Sequence, residues 1–301
     1  MLRIFALFCL LKSTPSFSQD ITFPTLTYNP QNYNPAYASA INHAELAMQG
    51  NANNMDFKGF PITLGLNSNI PIKKIKSAIG LNLQRYSIGQ SSEWNYKLVW
   101  SSYLTLKNDW KLNFGIGAGA KTIFLNGSKL IPSQDSINNS DPISLSSSKL
   151  DLDFGIMLSK GDQFFLGFST KDILNKGLTI NNLELNGSRQ FFIYAHYNQK
   201  FGSIYGLRPY FFMPIGNRQV QIYNGLVHTF WKGIQFGTSL SSEFLDGEFS
   251  FLNTLTTLAG FENPYFRLVY GFEFYPNTTS SLKRAKHAIQ LAFKIRKKSQ
   301  L

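Results

Sequence analysis

The sequence predicts an all-β chain that crosses the outer membrane as a closed antiparallel β-barrel of about 14 strands. Three observations predict this class: a composition poor in charge and rich in aromatic residues, apolar residues that alternate with polar ones, and turn signals between the alternating runs. After the first residues, no apolar run approaches the roughly 18 residues that a membrane-spanning helix needs.

The composition fits a sheet with one apolar and one polar face. Charged residues make up 15% of the 301-residue chain, which contains 27 Phe, 14 Tyr and 23 Gly, whereas soluble globular chains carry about 25% charged residues. The mean hydropathy is −0.13, so Ser, Asn, Gly and Thr balance the apolar side chains. This balance argues against a helical membrane protein and favours strands between lipid and a polar lumen.

Runs of period two give the strongest structural signal. Only a strand places alternate residues on one face, and such runs extend from about residue 43 to 296, each near the ~9–11 residues of a tilted transmembrane strand. In one run we expect Leu152, Phe154 and Ile156 to face lipid, with Asp151 and Asp153 in the lumen. A calcium site at these two aspartates is the weaker alternative.

Closure of the sheet follows from the membrane environment, because an open edge would leave backbone amides unpaired in lipid. We therefore expect the last strand, residues 288–295, to pair with the first, around residues 44–49. Short turns are predicted at 107–109, 160–162, 246–247 and 262–264, and longer loops at 131–148 and 172–188. Aromatic residues near strand ends predict interface girdles, which a soluble β-sandwich would lack: Tyr86, Trp94, Trp110, Tyr210, Trp231, Tyr265 and Tyr275.

Four segments are predicted along the chain. Residues 1–18 have the basic start, short apolar core and small residues of a signal peptide, with cleavage ahead of Gln19. Residues 19–42 form a segment with two Asn-Pro turns, located in the periplasm or acting as a plug. The barrel spans 43–296, and a basic tail covers 297–301. Cleavage would remove Cys9, the single cysteine, so the mature chain would have no thiol or disulfide chemistry.

The formal net charge of +12 is spread along the chain and is dense only between residues 283 and 298. We interpret that dense group as a solvated tail rather than as a site for an anionic partner, and we expect no nucleic-acid partner.

No pattern predicts an enzyme, a cofactor or a metal site. The four histidines stand apart and form no metal-ligand motif, and no nucleophile or phosphate-binding motif is present. The glycine-rich run 115–119 lies inside a predicted strand, where glycine eases curvature or leaves room for a neighbour. The histidines are His43, His196, His228 and His287.

The segment before the barrel is the candidate site. Proline restricts the residue before it and asparagine favours turns, so two Asn-Pro pairs give a compact, non-helical structure. A fixed backbone loses less entropy on docking, and tyrosines supply contact area. We predict that this segment docks a protein partner, with a lumen plug and a simple packed turn as alternatives. The candidate residues are Tyr28, Asn29, Pro30, Tyr33, Asn34, Pro35, Ala36 and Tyr37.

The same residues resemble the start of the PorP/SprF family of type IX secretion system membrane proteins from Bacteroidetes. The family motif is similar to Tyr28-Asn29-Pro30, followed by Asn34-Pro35-Ala36-Tyr37-Ala38. Further matching stretches follow in order at residues 59–63, 112–119, 128–130, 141–142, 164–169, 173–175, 230–233, 280–282 and 287–289.

The resemblance implies a non-enzymatic role in export across the outer membrane, or in surface display of large adhesins, including gliding adhesins. The implied partners are outer-membrane lipid, type IX secretion machinery proteins and a secreted adhesin-like protein. The alternatives are a porin or hydrophobic-substrate channel and, third, an outer-membrane hydrolase. A general porin usually needs about 16–18 strands, and a hydrolase needs a base that the sequence does not place.

Overall fold

A computed structural model of the chain describes residues 24–56, 58–126, 144–180, 183–185, 189–216, 219–276 and 285–295. Several predicted features lie outside the described residues. They are the signal peptide (1–18) with the five residues that follow it, the basic tail (297–301), and the family-like stretches at 128–130, 141–142 and 280–282. Within the described ranges, no helix has the length and apolar character needed to cross a membrane.

Strands dominate the described structure. Numbered in chain order, they are β1 (Ala44–Asn53), β2 (Ile62–Ile72), β3 (Ser77–Ile88), β4 (Ser91–Thr105), β5 (Trp110–Leu125), β6 (Leu145–Lys160), β7 (Phe164–Lys171), β8 (Leu178–Ile180), β9 (Leu183–Leu185), β10 (Gln190–Tyr197), β11 (Gln199–Phe201), β12 (Tyr205–Ile215), β13 (Gln219–Phe230), β14 (Ile234–Leu245), β15 (Glu248–Glu262), β16 (Phe266–Phe274) and β17 (Ala285–Ile295). One helical turn, α1 (Tyr37–Ala40), precedes β1, and 3-10 turns lie at Leu26–Tyr28, Pro30–Asn32, Lys73–Ile75, Lys107–Asp109 and Trp231–Gly233.

The wall is a closed antiparallel barrel of 14 strands. It consists of β1–β7, β10 and β12–β17, and β10 pairs with β12 to complete the circle. The first strand pairs with the last, with Ala44 opposite Ile295. The predicted fold class, the strand number and the pairing of the terminal strands are therefore confirmed. Outside the wall, β11 pairs with β12, and β8 and β9 form a separate hairpin.

Alternation along each strand places apolar side chains outside and polar ones in the lumen. On β6, Leu150 and Phe154 are 69% and 38% exposed, whereas Asp151 and Asp153 are buried. The orientation predicted for this strand is confirmed. Because a lipid-facing surface must be apolar and a lumen can hold charge, the same pattern lets the charged residues of the chain concentrate inside.

The two ends of the barrel differ. β1 begins and β17 ends at one of them, the terminal end, where short turns connect β2 to β3, β4 to β5, β6 to β7, β13 to β14 and β15 to β16. The longest connections, 126–144 and 172–189, lie at the opposite loop end. Asp246-Gly247 also lies there, away from the other predicted short turns. Trp231 and Tyr265 are 61% and 59% exposed at the terminal end, as expected of girdle residues.

Several details of the sequence prediction are wrong. Tyr210 is buried in the lumen and is not a girdle residue. Lys286 and Lys294, counted with the solvated basic group, are inward residues of β17 and pair with Glu273 and Glu262. The loop predicted at 131–148 ends earlier, because β6 begins at Leu145, and the loop at 172–188 contains the β8–β9 hairpin.

Candidate functional site: the N-terminal segment in the barrel lumen

The N-terminal segment, residues 24–43, lies inside the barrel. Every residue from Pro24 to Ile41 is buried, although the segment contains several polar side chains. The structure brings all eight candidate residues together here, against the inner wall. Partner docking by these residues stays a prediction, and in this arrangement they contact the barrel itself.

Local chemistry explains the shape of the segment. Pro30 starts a 3-10 turn, and the Asn34 amide donates to the Pro30 carbonyl at 2.8 Å. The Asn34 side-chain oxygen then accepts from the Ala36 amide at 2.9 Å, which is the turn that asparagine favours. The helical turn α1 follows at once, so the chain folds back on itself within a few residues.

Three glycines on neighbouring strands form a cradle for the second Asn-Pro turn. Gly115 on β5 lies opposite Gly155 on β6. A Cβ on Gly115 would overlap the backbone of Pro35 and Ala36, and one on Gly155 would overlap the Asn34 side chain. On β7, a Cβ at Gly167 would lie 2.7 Å from the Asn34 amide nitrogen. The sequence predicts that the glycines at 115–119 ease curvature or leave room for a neighbour. Gly115 does the second, since it leaves room for the backbone of Pro35 and Ala36.

Hydrogen bonds fix the turn in this cradle. The Asn34 side-chain amide donates to the carbonyls of Ile156 and Phe168, at 3.1 and 3.2 Å. The Ser169 hydroxyl donates to the Tyr33 carbonyl at 2.7 Å, and the Ser101 hydroxyl donates to the Ala36 carbonyl at 3.2 Å. Side chains of the wall thereby donate to two main-chain carbonyls of the segment. Such donors are needed because a buried carbonyl without a hydrogen bond is costly.

Aromatic contacts attach the segment to one half of the lumen. The Tyr33 ring centroid lies 4.7 Å from that of Phe212 and 5.5 Å from that of Phe192. The ring centroids of Tyr37 and Phe165 lie 5.9 Å apart. These tilted ring pairs bury apolar area on β7, β10 and β12, so the tyrosines of the motif act here as packing residues.

Amide and backbone groups line the other half. Gln31 donates to the Ser68 carbonyl at 2.9 Å, and Asn29 donates to the Asn67 side chain at 3.0 Å. On β16, in the same half of the wall, the Arg267 guanidinium donates to the Tyr28 carbonyl at 2.7 Å. The segment therefore contacts strands on both sides of the lumen.

A charged network surrounds Tyr28. Arg267 pairs with Glu45 at 3.3 Å and with Glu262 at 3.7 Å, and Arg208 pairs with Glu262 at 3.6 Å. Both guanidinium carbons lie over the Tyr28 ring, 5.2 and 5.4 Å from its centroid. This arrangement holds the first Asn-Pro turn between two cations, in the manner of a cation–π contact.

A second charged network lies on the other side of the segment. Lys97 on β4 pairs with Asp151 at 2.8 Å and with Asp153 at 2.6 Å, so one cation compensates the two like charges on β6. The Asp153 carboxylate also accepts from the Asp172 amide at 3.1 Å, which ties the connection after β7 to the wall. Alternation along β4 and β6 places these charges on the inner face, but no local pattern shows that they form one network.

The histidines lie apart from one another. His43 lies 3.4 Å from Glu45, and His196 hydrogen-bonds Tyr194. His228 and His287 contact the hydroxyls of Tyr205 and Tyr270 at 2.7 and 2.6 Å. Across the described ranges, no three His, Cys, Asp or Glu residues are grouped as metal ligands.

Comparison with solved structures supports the barrel fold. A monoaromatic hydrocarbon channel, CymD, has a TM-score of 0.54 at 8% identity, covering 89% of this chain and 92% of that one. The Ralstonia pickettii toluene transporter TbuX has a TM-score of 0.50 at 9% identity, covering 91% and 94%. At such low identity the likeness concerns the fold alone. No curated protein matches the sequence.

The family described as type IX secretion system membrane protein PorP/SprF matches residues 16–293, which includes the Asn-Pro segment and nearly the whole barrel. The match agrees with the resemblance at the two Asn-Pro turns and at the stretches that follow them along the barrel. The chain therefore belongs to the PorP/SprF family of type IX secretion system membrane proteins and is a barrel of the outer membrane.

Proposed function

We propose that the barrel is a non-enzymatic component of the type IX secretion system that assists the export or surface anchoring of a large secreted protein, such as an adhesin. Gliding adhesins are cargo of this kind. The observation that carries the proposal is the buried segment that lies across the lumen. Since this segment packs on both halves of the wall and hydrogen-bonds to them, we infer that it obstructs free diffusion, which favours action through protein partners.

We further infer that the terminal end faces the periplasm, because the short turns of outer-membrane barrels lie on that side. The N-terminal segment then enters the lumen from the periplasm. Export to this location would use the predicted signal peptide, and mass spectrometry of the purified protein should find Gln19 as the first residue. A retained Leu2 or Arg3 would contradict this part of the proposal.

The segment acts, in this proposal, as a plug whose eight motif residues become available to a partner only when it leaves the lumen. Replacing Tyr33 and Tyr37 by Ala removes the two rings that pack on the wall. We expect less adhesin on the cell surface at normal barrel abundance. Replacing the outward-facing Tyr197 and Tyr265, which are 43% and 59% exposed, is the matched control.

The outcomes of this experiment separate the roles. Normal adhesin display with a leakier membrane would support the plug and contradict the docking role. If neither display nor permeability changed, the functional assignment of the segment would fail.

A hydrophobic-substrate channel is the second candidate function. The observation that favours it is the aromatic half of the lumen, where Phe192, Phe212 and Tyr223 are buried beside the segment. The similar folds of CymD and TbuX belong to proteins described as a hydrocarbon channel and a toluene transporter. Uptake of toluene by cells with and without the protein tests this candidate, and equal uptake would exclude it.

A further inference from the structure

The terminal end carries a ring of lysines, which we name the basic collar. Six of its seven members are exposed and Lys160 is half-buried. The turns that hold them also contain Asp109 and Asp162, so positive charges outnumber negative ones there. In the described part of the chain, no carboxylate lies within ion-pair distance of a collar lysine. The collar consists of Lys73, Lys74, Lys76, Lys107, Lys160, Lys200 and Lys232.

A concentration of unpaired cations at one end of a molecule attracts anions within about 8–10 Å, the screening length at physiological salt.

Apolar side chains stand next to the collar lysines. Ile75, 59% exposed, lies between Lys74 and Lys76, and Leu106, 45% exposed, precedes Lys107. The Lys232 ammonium lies 4.0 Å from the ring centroid of Trp231, which is 61% exposed. This pairing of long basic side chains with exposed apolar ones is typical of the membrane–water interface, where the stem follows the hydrocarbon and the charge reaches the headgroups.

The apolar neighbours decide between two kinds of anionic partner. An acidic soluble protein would account for the lysines but not for an isoleucine, a leucine and a tryptophan exposed beside them. A lipid surface accounts for both. We propose that the basic collar binds the anionic headgroups of phospholipids in the leaflet at the terminal end, with Ile75, Leu106 and Trp231 inserted at the acyl-chain boundary.

Lipid selectivity tests the proposal independently of any role in export. The purified full-length protein is mixed with phosphatidylglycerol and phosphatidylcholine in detergent, and the lipids it retains are measured by mass spectrometry. We expect phosphatidylglycerol to be enriched, and the enrichment to fall as salt is raised. The double variant Lys74→Gln, Lys232→Gln should lower the enrichment at least about fivefold, since each lysine near an anionic surface contributes roughly that factor.

The matched control removes two exposed lysines from the loop end, Lys58→Gln with Lys176→Gln, and should keep the enrichment. The charge-conserving variant Lys74→Arg, Lys232→Arg should keep it as well, and the heat-modifiable gel migration of each variant reports folding. Equal retention of both lipids by the unmodified protein would overturn the proposal. So would a collar variant that keeps its lipid enrichment but loses a co-purifying periplasmic protein, since the collar would then bind protein.

Discussion

At the scale of single residues, Gly115 lets the second Asn-Pro turn approach the wall closely, because it has no side chain. The substitution Gly115→Ala places a methyl group against the backbone of Pro35 and Ala36. Over-packing of this kind costs about 1–3 kcal/mol, so the barrel should lose its heat-resistant migration at a lower temperature. Gly50→Ala is the control, because its Cβ would lie 3.6 Å or more from the nearest side chains. Equal melting of the two variants would contradict the cradle.

Lys97 also acts as a single residue, since it compensates both Asp151 and Asp153 inside the lumen. The substitution Lys97→Met removes the cation that lies within ion-pair distance of both buried carboxylates and should cost about 3–5 kcal/mol. Adding Asp151→Asn and Asp153→Asn removes the unpaired charges and should recover much of that loss in a denaturant titration. No recovery in the triple variant would mean that the ion pairs do not determine the stability there.

At the scale of elements, the N-terminal segment is a separate piece of structure that the wall holds in place. The sequence has no cysteine after Cys9, so a single introduced thiol reports on one position. Ala38→Cys, at a residue that is 0% exposed, should react slowly with a polar maleimide, whereas Ile75→Cys, at a residue that is 59% exposed, should react fast. Equal rates would show that the segment spends its time outside the lumen.

The sequence predicts the elements well where alternation is uninterrupted, and the run around Phe154 predicts both the strand and its two faces. The prediction for Tyr210 is wrong because the position of a tyrosine near a strand end does not show which face it occupies. The prediction for Lys294 is wrong because a dense basic stretch is typical of a solvated tail, whereas its acidic partner Glu262 lies on another strand. The path of the N-terminal segment through the lumen also depends on long-range contacts that no local pattern shows.

At the scale of the whole molecule, closure joins β1 to β17 in a defined register. Ala47 lies opposite Ala292, and facing residues in antiparallel strands are close enough for a disulfide. The pair Ala47→Cys, Ala292→Cys should therefore oxidise and change the migration of the unfolded protein on a gel. The pair Ala47→Cys, Ala78→Cys is the control, since β1 and β3 are not neighbours. Oxidation of the control alone would contradict the closed register.

The bond from Arg267 to the Tyr28 carbonyl joins positions 239 residues apart, and this distance along the chain has a consequence for biogenesis. The segment is made before any strand, yet it contacts β5, β6, β7, β12 and β16. We predict that the strands are added around the segment and that the meeting of β1 with β17 then encloses it. If the segment acts as a template in this way, a chain with residues 24–43 moved behind β17 should accumulate as a late, unsealed folding intermediate, whereas normal assembly of that chain would show that the segment enters a closed barrel.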